Sequence, residues 1–176
     1  PAGSGIGRLA QAVRAGDVAA AWAAIAAGDG IRHIEPAVGG GLPDRLWELL
    51  GDGFGALLAS ADPPAALAAL ARLRVLCAHR HGPFGALAVN AAIEHWLRAS
   101  GAAPAEGVSY HGRPLLVTRN DYSVSLFNGD VGVIARGDGA EEGWAAYFEG
   151  NGGRVRRIAL SRLPAHETVY AMTVHK

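Results

Sequence analysis

Apolar residues recur at helical spacing from the start of the chain to about residue 103, and at strand spacing beyond it. Ile6, Leu9 and Val13 predict a short helix ending near Gly16, with Ser4-Gly-Ile-Gly7 as its lead-in. Asp17 can cap the next helix, because its carboxylate accepts otherwise unpaired backbone N–H groups. Val18, Trp22 and Ile25 are the expected buried stripe of that helix, which Gly28 to Gly30 stops. Ile31 to Val38 reads as a short strand or an extended connection. Pro43 opens a helix carrying Leu46, Leu49 and Leu50, and Pro63-Pro64 opens another through Leu67 and Leu70. Arg74 to Ala78 is the pattern of a buried strand, His79 to Pro83 that of a loop. Gly85 to Ala99 predicts a helix with Leu87, Ile93 and Leu97 on one side. Strand, loop and helix in that order are the grammar of an α/β layer.

Ser100 to Gly107 is a linker, rich in Gly, Ala and Pro. Beyond it the period changes. Pro114–Thr118, Ser123–Phe127, Val131–Ala135, Trp144–Phe148 and Val155–Ile158 predict five short strands, and Asn128-Gly129 a hairpin turn. Short strands at this spacing suggest a small barrel. Thr168 to Val174 is apolar on both sides, as in a parallel sheet covered on both faces. The barrel therefore reads as an insertion into an α/β domain.

The chain has 176 residues, half of them apolar, and a formal net charge of zero. Nucleic acid held by bulk electrostatics calls for a basic surface, so any such role here rests on a local patch or on placed hydrogen bonds. Arg154, Arg156, Arg157 and Arg162 form the one concentrated basic stretch, equally readable as a solvated strand face. A single cysteine, Cys77, leaves no disulfide framework and no Cys-based zinc site, and it falls where a core residue is expected. His79 and His81 lack carboxylate or thiolate support, so no metal is expected there. No apolar run predicts a membrane span, no leader pattern opens the sequence, and the expected location is cytoplasmic.

Three stretches carry a resemblance: Leu76-Cys-Ala-His-Arg-His-Gly-Pro-Phe-Gly-Ala-Leu-Ala-Val-Asn90, Gly112-Arg-Pro-Leu-Leu-Val-Thr-Arg-Asn-Asp-Tyr-Ser-Val-Ser-Leu-Phe-Asn-Gly-Asp-Val-Gly132, and Leu163-Pro-Ala-His-Glu-Thr-Val-Tyr-Ala-Met-Thr-Val-His-Lys176. In this order they resemble the RecD family, the alpha chains of exodeoxyribonuclease V. Ser4 to Asp17 is similar to the segment after that family's fourth helicase motif. Leu-Phe-Asn-Gly-Asp-x-Gly preceded by Arg-Asn-Asp is the sharpest signal, and Ala-Met-Thr-Val-His-Lys resembles the start of helicase motif V. The resemblance implies a partial RecA-like (P-loop NTPase-type) second motor domain over residues 1–105, an inserted SH3-like β-barrel over 106–165, and a return strand over 166–176. It implies a segment of a longer chain whose parent is an ATP-dependent 5′-to-3′ DNA helicase acting in double-strand break repair and recombination. ATP and magnesium belong to that parent. No Gly-x-x-x-x-Gly-Lys-Ser/Thr loop and no Asp-Glu pair for magnesium occur here, so the segment is expected not to hydrolyse ATP by itself.

The expected role is grip on single-stranded DNA. By resemblance to motif V, Thr173, His175 and Lys176 touch the DNA backbone from a strand end. Arg119, Asn120 and Asn128 around the barrel hairpin, and Arg80 in the loop after the first strand, are the further candidate DNA contacts. Tyr122 or Phe127 could stack on a base, Phe127 being equally readable as core. The rival reading makes the chain a docking module for the partner nuclease-helicase and scaffold subunits, with little DNA contact. A third, a translation-type nucleic-acid barrel unrelated to helicases, is weaker.

Overall fold

The structure, a computed structural model, describes residues 3–35, 42, 44–107, 109–136 and 143–174, with Asp44, Arg45 and Asn151 described in their backbone alone. It divides into two compact units, Pro1–Ala37 and Val38–Lys176.

The first unit is a pair of helices, α1 (Gly5–Ala15) and α2 (Val18–Ala26). α2 starts as the sequence predicts, with the Asp17 carboxylate accepting from Ala20 N at 2.9 Å; Ser4, read from the sequence only as part of a lead-in, caps α1 by accepting from Gly7 N at 3.2 Å. Gly16 turns the chain between them at φ 69°, a left-handed conformation that costs an L side chain about 1–2 kcal/mol. The expected stripe is not the buried one. Ala12 and Ala24 are buried, whereas Val18 is 69% and Trp22 55% exposed. Helical periodicity shows which residues share a face, but close approach through small side chains decides which face is covered. Residues 31–35 form neither helix nor strand; Pro36 to Val38 and Pro43 lie outside the described residues.

In the second unit, α3 (Asp44–Leu58) and α4 (Pro63–Arg72) pack with α5 (Ala86–Ala99) on one core of Leu50, Phe54, Leu57, Leu70, Ile93 and Leu97. Full burial of each such side chain stabilises by about 1.5–3 kcal/mol. Asp62 caps α4 and Pro63 takes its first position, where a missing N–H costs nothing. Leu87 of α5 is 42% exposed, with Ala86 and Val89 buried in its place beside Ile93 and Leu97.

Two sheets follow. β1 (Val75–Cys77) and β7 (Ala171–Thr173) pair in parallel, Leu76 opposite Met172. β2 (Arg113–Val117), β3 (Val131–Arg136), β4 (Trp144–Glu149), β5 (Val155–Ala159) and β6 (His166–Thr168) form an antiparallel sheet in the order β5-β4-β3-β2-β6. Side-chain alternation gives this sheet two buried faces. Val133, Ala135, Ala145 and Tyr147 join the helical core, while Ile134, Ala146 and Phe148 join Leu115, Val117 and Leu126 in a second one.

Two expected strands come out differently. Ser123–Phe127 is a run of turns closed by one bridge between Asp121 and Leu126. Asp121 accepts from both the amide and the hydroxyl of Ser123, and such local bonds compete with a ladder. The segment Thr168–Val174 is not one strand: Thr168 pairs with Leu115 in the antiparallel sheet, and Ala171 already pairs with Val75 in the parallel one. Nor are both faces of the parallel pair covered among the described residues, since Cys77 and Ala171 are buried but Leu76 is 57% exposed.

Candidate nucleic-acid interface

Thr173 ends β7, and the position of β7 is fixed by Asn90 in the middle of α5. The Asn90 amide donates to Ala171 O at 2.6 Å and to Ala86 O at 2.8 Å, and its oxygen accepts from Ala171 N at 2.9 Å. Asn90 thus occupies the edge of β7 that a further strand would otherwise pair. Met172 and Val174 face β1, since Val174 N donates to Cys77 O at 3.0 Å. By the alternation of the ladder, the Thr173 amide points to the Asn90 side.

The loop between β1 and α5 supplies Arg80. Its carbonyl accepts from Leu87 N, and the His79 carbonyl from Ala86 N, so loop backbone satisfies the first turn of α5. Gly85 makes the tight approach, because a Cβ there would meet His81 backbone at 2.5 Å. The Arg80 guanidinium reaches to β6 and donates to both carboxylate oxygens of Glu167, at 3.1 and 2.8 Å. These hydrogen bonds, and behind them the negative charge of Glu167, push the Arg80 pKa further up.

The opposite wall is the turn Phe127–Asp130. Asp130 N donates to Phe127 O at 3.0 Å, and the Asp130 carboxylate accepts from Phe127 N at 2.9 Å. Gly129 has φ 100° and Asn128 is not among the positive-φ residues, so only the second central position is left-handed, as in a type II turn. The Asn120 side chain holds the turn by accepting from Asn128 N at 2.7 Å.

Arg80, Asn90, Asn128, Gly129, Glu167 and Thr173 line one cleft of about 150 Å³. Three of the sequence-predicted residues, Arg80, Asn128 and Thr173, therefore converge. Asn120 stands behind the turn, Arg119 is exposed on the loop after β2 and does not line the cleft, and His175 and Lys176 lie outside the described residues. Sequence reasoning missed Asn90 and Glu167. The signal for Asn90 was a polar residue on a helix directly after Val89 and one turn before Ile93, both of them buried.

A second groove, of about 550 Å³, lies on the antiparallel sheet and is lined by Phe127, Asp130, Glu149, Arg154 and Arg156 among others. Phe127 is 44% and Tyr122 77% exposed, their rings edge to face at 5.8 Å. The basic run does not form a single face: Arg156 donates to the carbonyls of Val124 and Ser125, while Arg154 and Arg162 are exposed. Cys77 is buried in the helical core, which raises its thiol pKa. Among the described residues no group of three or more His, Cys, Asp or Glu could hold a metal, and no helix is long and apolar enough to cross a membrane.

No protein-family model matches the chain. Among curated proteins, the RecBCD enzyme subunit RecD of Mycolicibacterium smegmatis is 41% identical over 99% of this chain, and that of Mycobacterium tuberculosis (strain ATCC 25618 / H37Rv) 39% identical over 99%. The ATP-dependent RecD2 DNA helicase of Deinococcus radiodurans is 30% identical over 59% of this chain and 14% of its own length. The chain is therefore similar to part of RecD-type proteins. More narrowly, it is a homologue, over nearly all its residues, of a segment of the RecBCD subunit RecD. It spans about 30% of the length of those relatives.

Proposed function

We propose that the chain is part of an ATP-dependent 5′-to-3′ DNA helicase of the RecD type, and that the cleft at the end of β7 grips the backbone of single-stranded DNA. In this reading α3, α5 and the β1–β7 pair are a portion of a RecA-like motor domain, and the antiparallel sheet is an SH3-like barrel inserted between α5 and β7. ATP and magnesium act elsewhere in the parent protein, which works in the cytoplasm in break repair and recombination, beside nuclease-helicase and scaffold subunits of an exodeoxyribonuclease V complex. The observation that carries the reading is the convergence of Arg80, Asn128 and Thr173, contributed by a loop, a turn and a strand end distant in sequence, on one cleft. Cationic and neutral donors at a strand end are the chemistry that holds a phosphate in register.

Fluorescence anisotropy with a labelled oligo-dT at low salt tests it. Arg80→Ala should weaken binding several-fold and reduce the slope of log K against log salt by about 0.7, one phosphate contact on a single strand. Thr173→Val should weaken binding with the slope unchanged. Wild-type binding by both variants would overturn the grip.

The docking alternative has its own observation: a formal net charge of zero, together with Trp22 and Val18 standing exposed. It predicts no measurable oligonucleotide binding, and unwinding by the full-length subunit unaffected by alanine at Arg119 and His175.

A further inference from the structure

The turn Phe127–Asp130 separates two concavities. Asn128 and Gly129 line the cleft beside Thr173, while Phe127 and Asp130 line the larger groove on the antiparallel sheet. We propose that this second groove is a nucleobase subsite, in which one base of the same single strand stacks against Phe127, whose ring Tyr122 meets edge to face, with Arg154 taking the adjoining phosphate. The inference rests on the DNA-grip reading of the cleft and extends it across the turn.

The first argument is the cost of the arrangement. Two aromatic rings are kept in water, and the segment that carries them is held by several polar contacts. Asp121 ties Ser123 at 2.6 and 2.9 Å, Arg156 donates to Ser125 O at 3.0 Å and to Val124 O, and Asp130 accepts from Phe127 N at 2.9 Å. Ser125 is the one non-glycine described at positive φ, 50°. Such strain gathers where a surface is organised for binding. A platform fixed in advance loses little conformational entropy when a ligand arrives, and rigid aromatic rings are the side chains that gain most from this.

The second argument is the chemistry of the walls. The groove, about 550 Å³, falls within the usual range of small-ligand sites. Asp130 and Glu149 repel phosphate from its floor but accept from the N–H groups of a base edge. Arg154, exposed on the same lining, supplies the cation for the backbone. An aromatic platform beside a cation is the pattern by which single strands are held without regard to sequence. In a duplex each base is paired and stacked, so the subsite discriminates in favour of single strands.

The test uses the whole chain. A 5-iodo-deoxyuridine oligonucleotide, photo-crosslinked and mapped by mass spectrometry, should attach at Phe127 or Tyr122. Phe127→Leu keeps apolar bulk and removes the π face, and Tyr122→Ala alters a side chain that is largely in solvent. Phe127→Leu should weaken oligo-dT binding about ten-fold, the scale of one base–aromatic stack, and Tyr122→Ala by less, both with the salt slope unchanged. Arg154→Ala should lower the slope by about 0.7. An oligonucleotide of abasic sites should lose the same factor on the wild-type protein. Should abasic and normal oligonucleotides bind equally, or both aromatic variants bind like wild type while Arg80→Ala weakens binding, the subsite is wrong and the cleft stands. If Arg80→Ala and Thr173→Val are silent but the crosslink forms at Phe127 or Tyr122, the cleft is wrong and the base site stands by itself.

Discussion

Asn90 shows how much one side chain can decide. It sits on the half-buried side of α5 and replaces, for Ala171, the partner strand that β7 lacks on that edge. Removing it leaves a backbone N–H and C=O of Ala171 without these bonds in a part-buried place, which costs about 1–3 kcal/mol. Asn90→Ala should therefore lower the urea midpoint with the m-value unchanged, and Asn90→Asp, which loses both donations, should not restore it. Arg80 and Glu167 form another such joint, yet neither pairing could be read from the sequence. The partners are 81 and 87 residues apart, and nothing local to either one names the other. Of the donors singled out by type and motif, Arg80, Asn128 and Thr173 line one cleft, Arg119 and Asn120 do not, and His175 and Lys176 lie outside the described residues.

Among elements, those with a local cause were legible. Asp17 and Pro63 mark the helix starts that they do because the Asp17 carboxylate lies within three residues of the amide it satisfies and a proline in the first turn has no N–H to satisfy. Strands were harder. The Ser123–Phe127 stretch has strand-like alternation, but Asp121 and Ser123 bond to each other and the chain turns instead. The end of the chain has strand composition throughout, and composition does not say that it changes sheets after Thr168. The junction of α3 with β2 makes a sharper prediction. Gly112 holds φ 77°, and a Cβ there would lie 2.7 Å from Leu57 O. Gly112→Ala combines a left-handed penalty of about 1–2 kcal/mol with a backbone clash, so it should destabilise more than either term alone when measured by chemical denaturation.

For the whole molecule, the buried pair Tyr110 and Tyr170 joins the linker, the helical core and the end of the chain. Their hydroxyls are 2.6 Å apart, and the Tyr170 ring meets Phe54 edge to face at 4.9 Å. Burial is the main cause that pushes both phenols above their ordinary pKa. In the unfolded chain a tyrosine titrates near about 10. Below that pH both states are neutral and the pair contributes in full. Above it the unfolded state loses protons that the folded state keeps, and stability falls by about 1.4 kcal/mol per pH unit for each phenol. Urea titrations between pH 8 and 11 should show this alkaline loss, and Tyr170→Phe should shallow it. The same region bears on how the chain would carry load. Between the last residue of β6, Thr168, and the first of β7, Ala171, lie only Val169 and Tyr170, both buried. That splice has no slack. The chain bends at Tyr170 within it, so a pull on Thr173 changes direction before it reaches β6. The tip of β7 is thus tied to the antiparallel sheet through Tyr170, a residue packed in the helical core and bonded there to the Tyr110 hydroxyl.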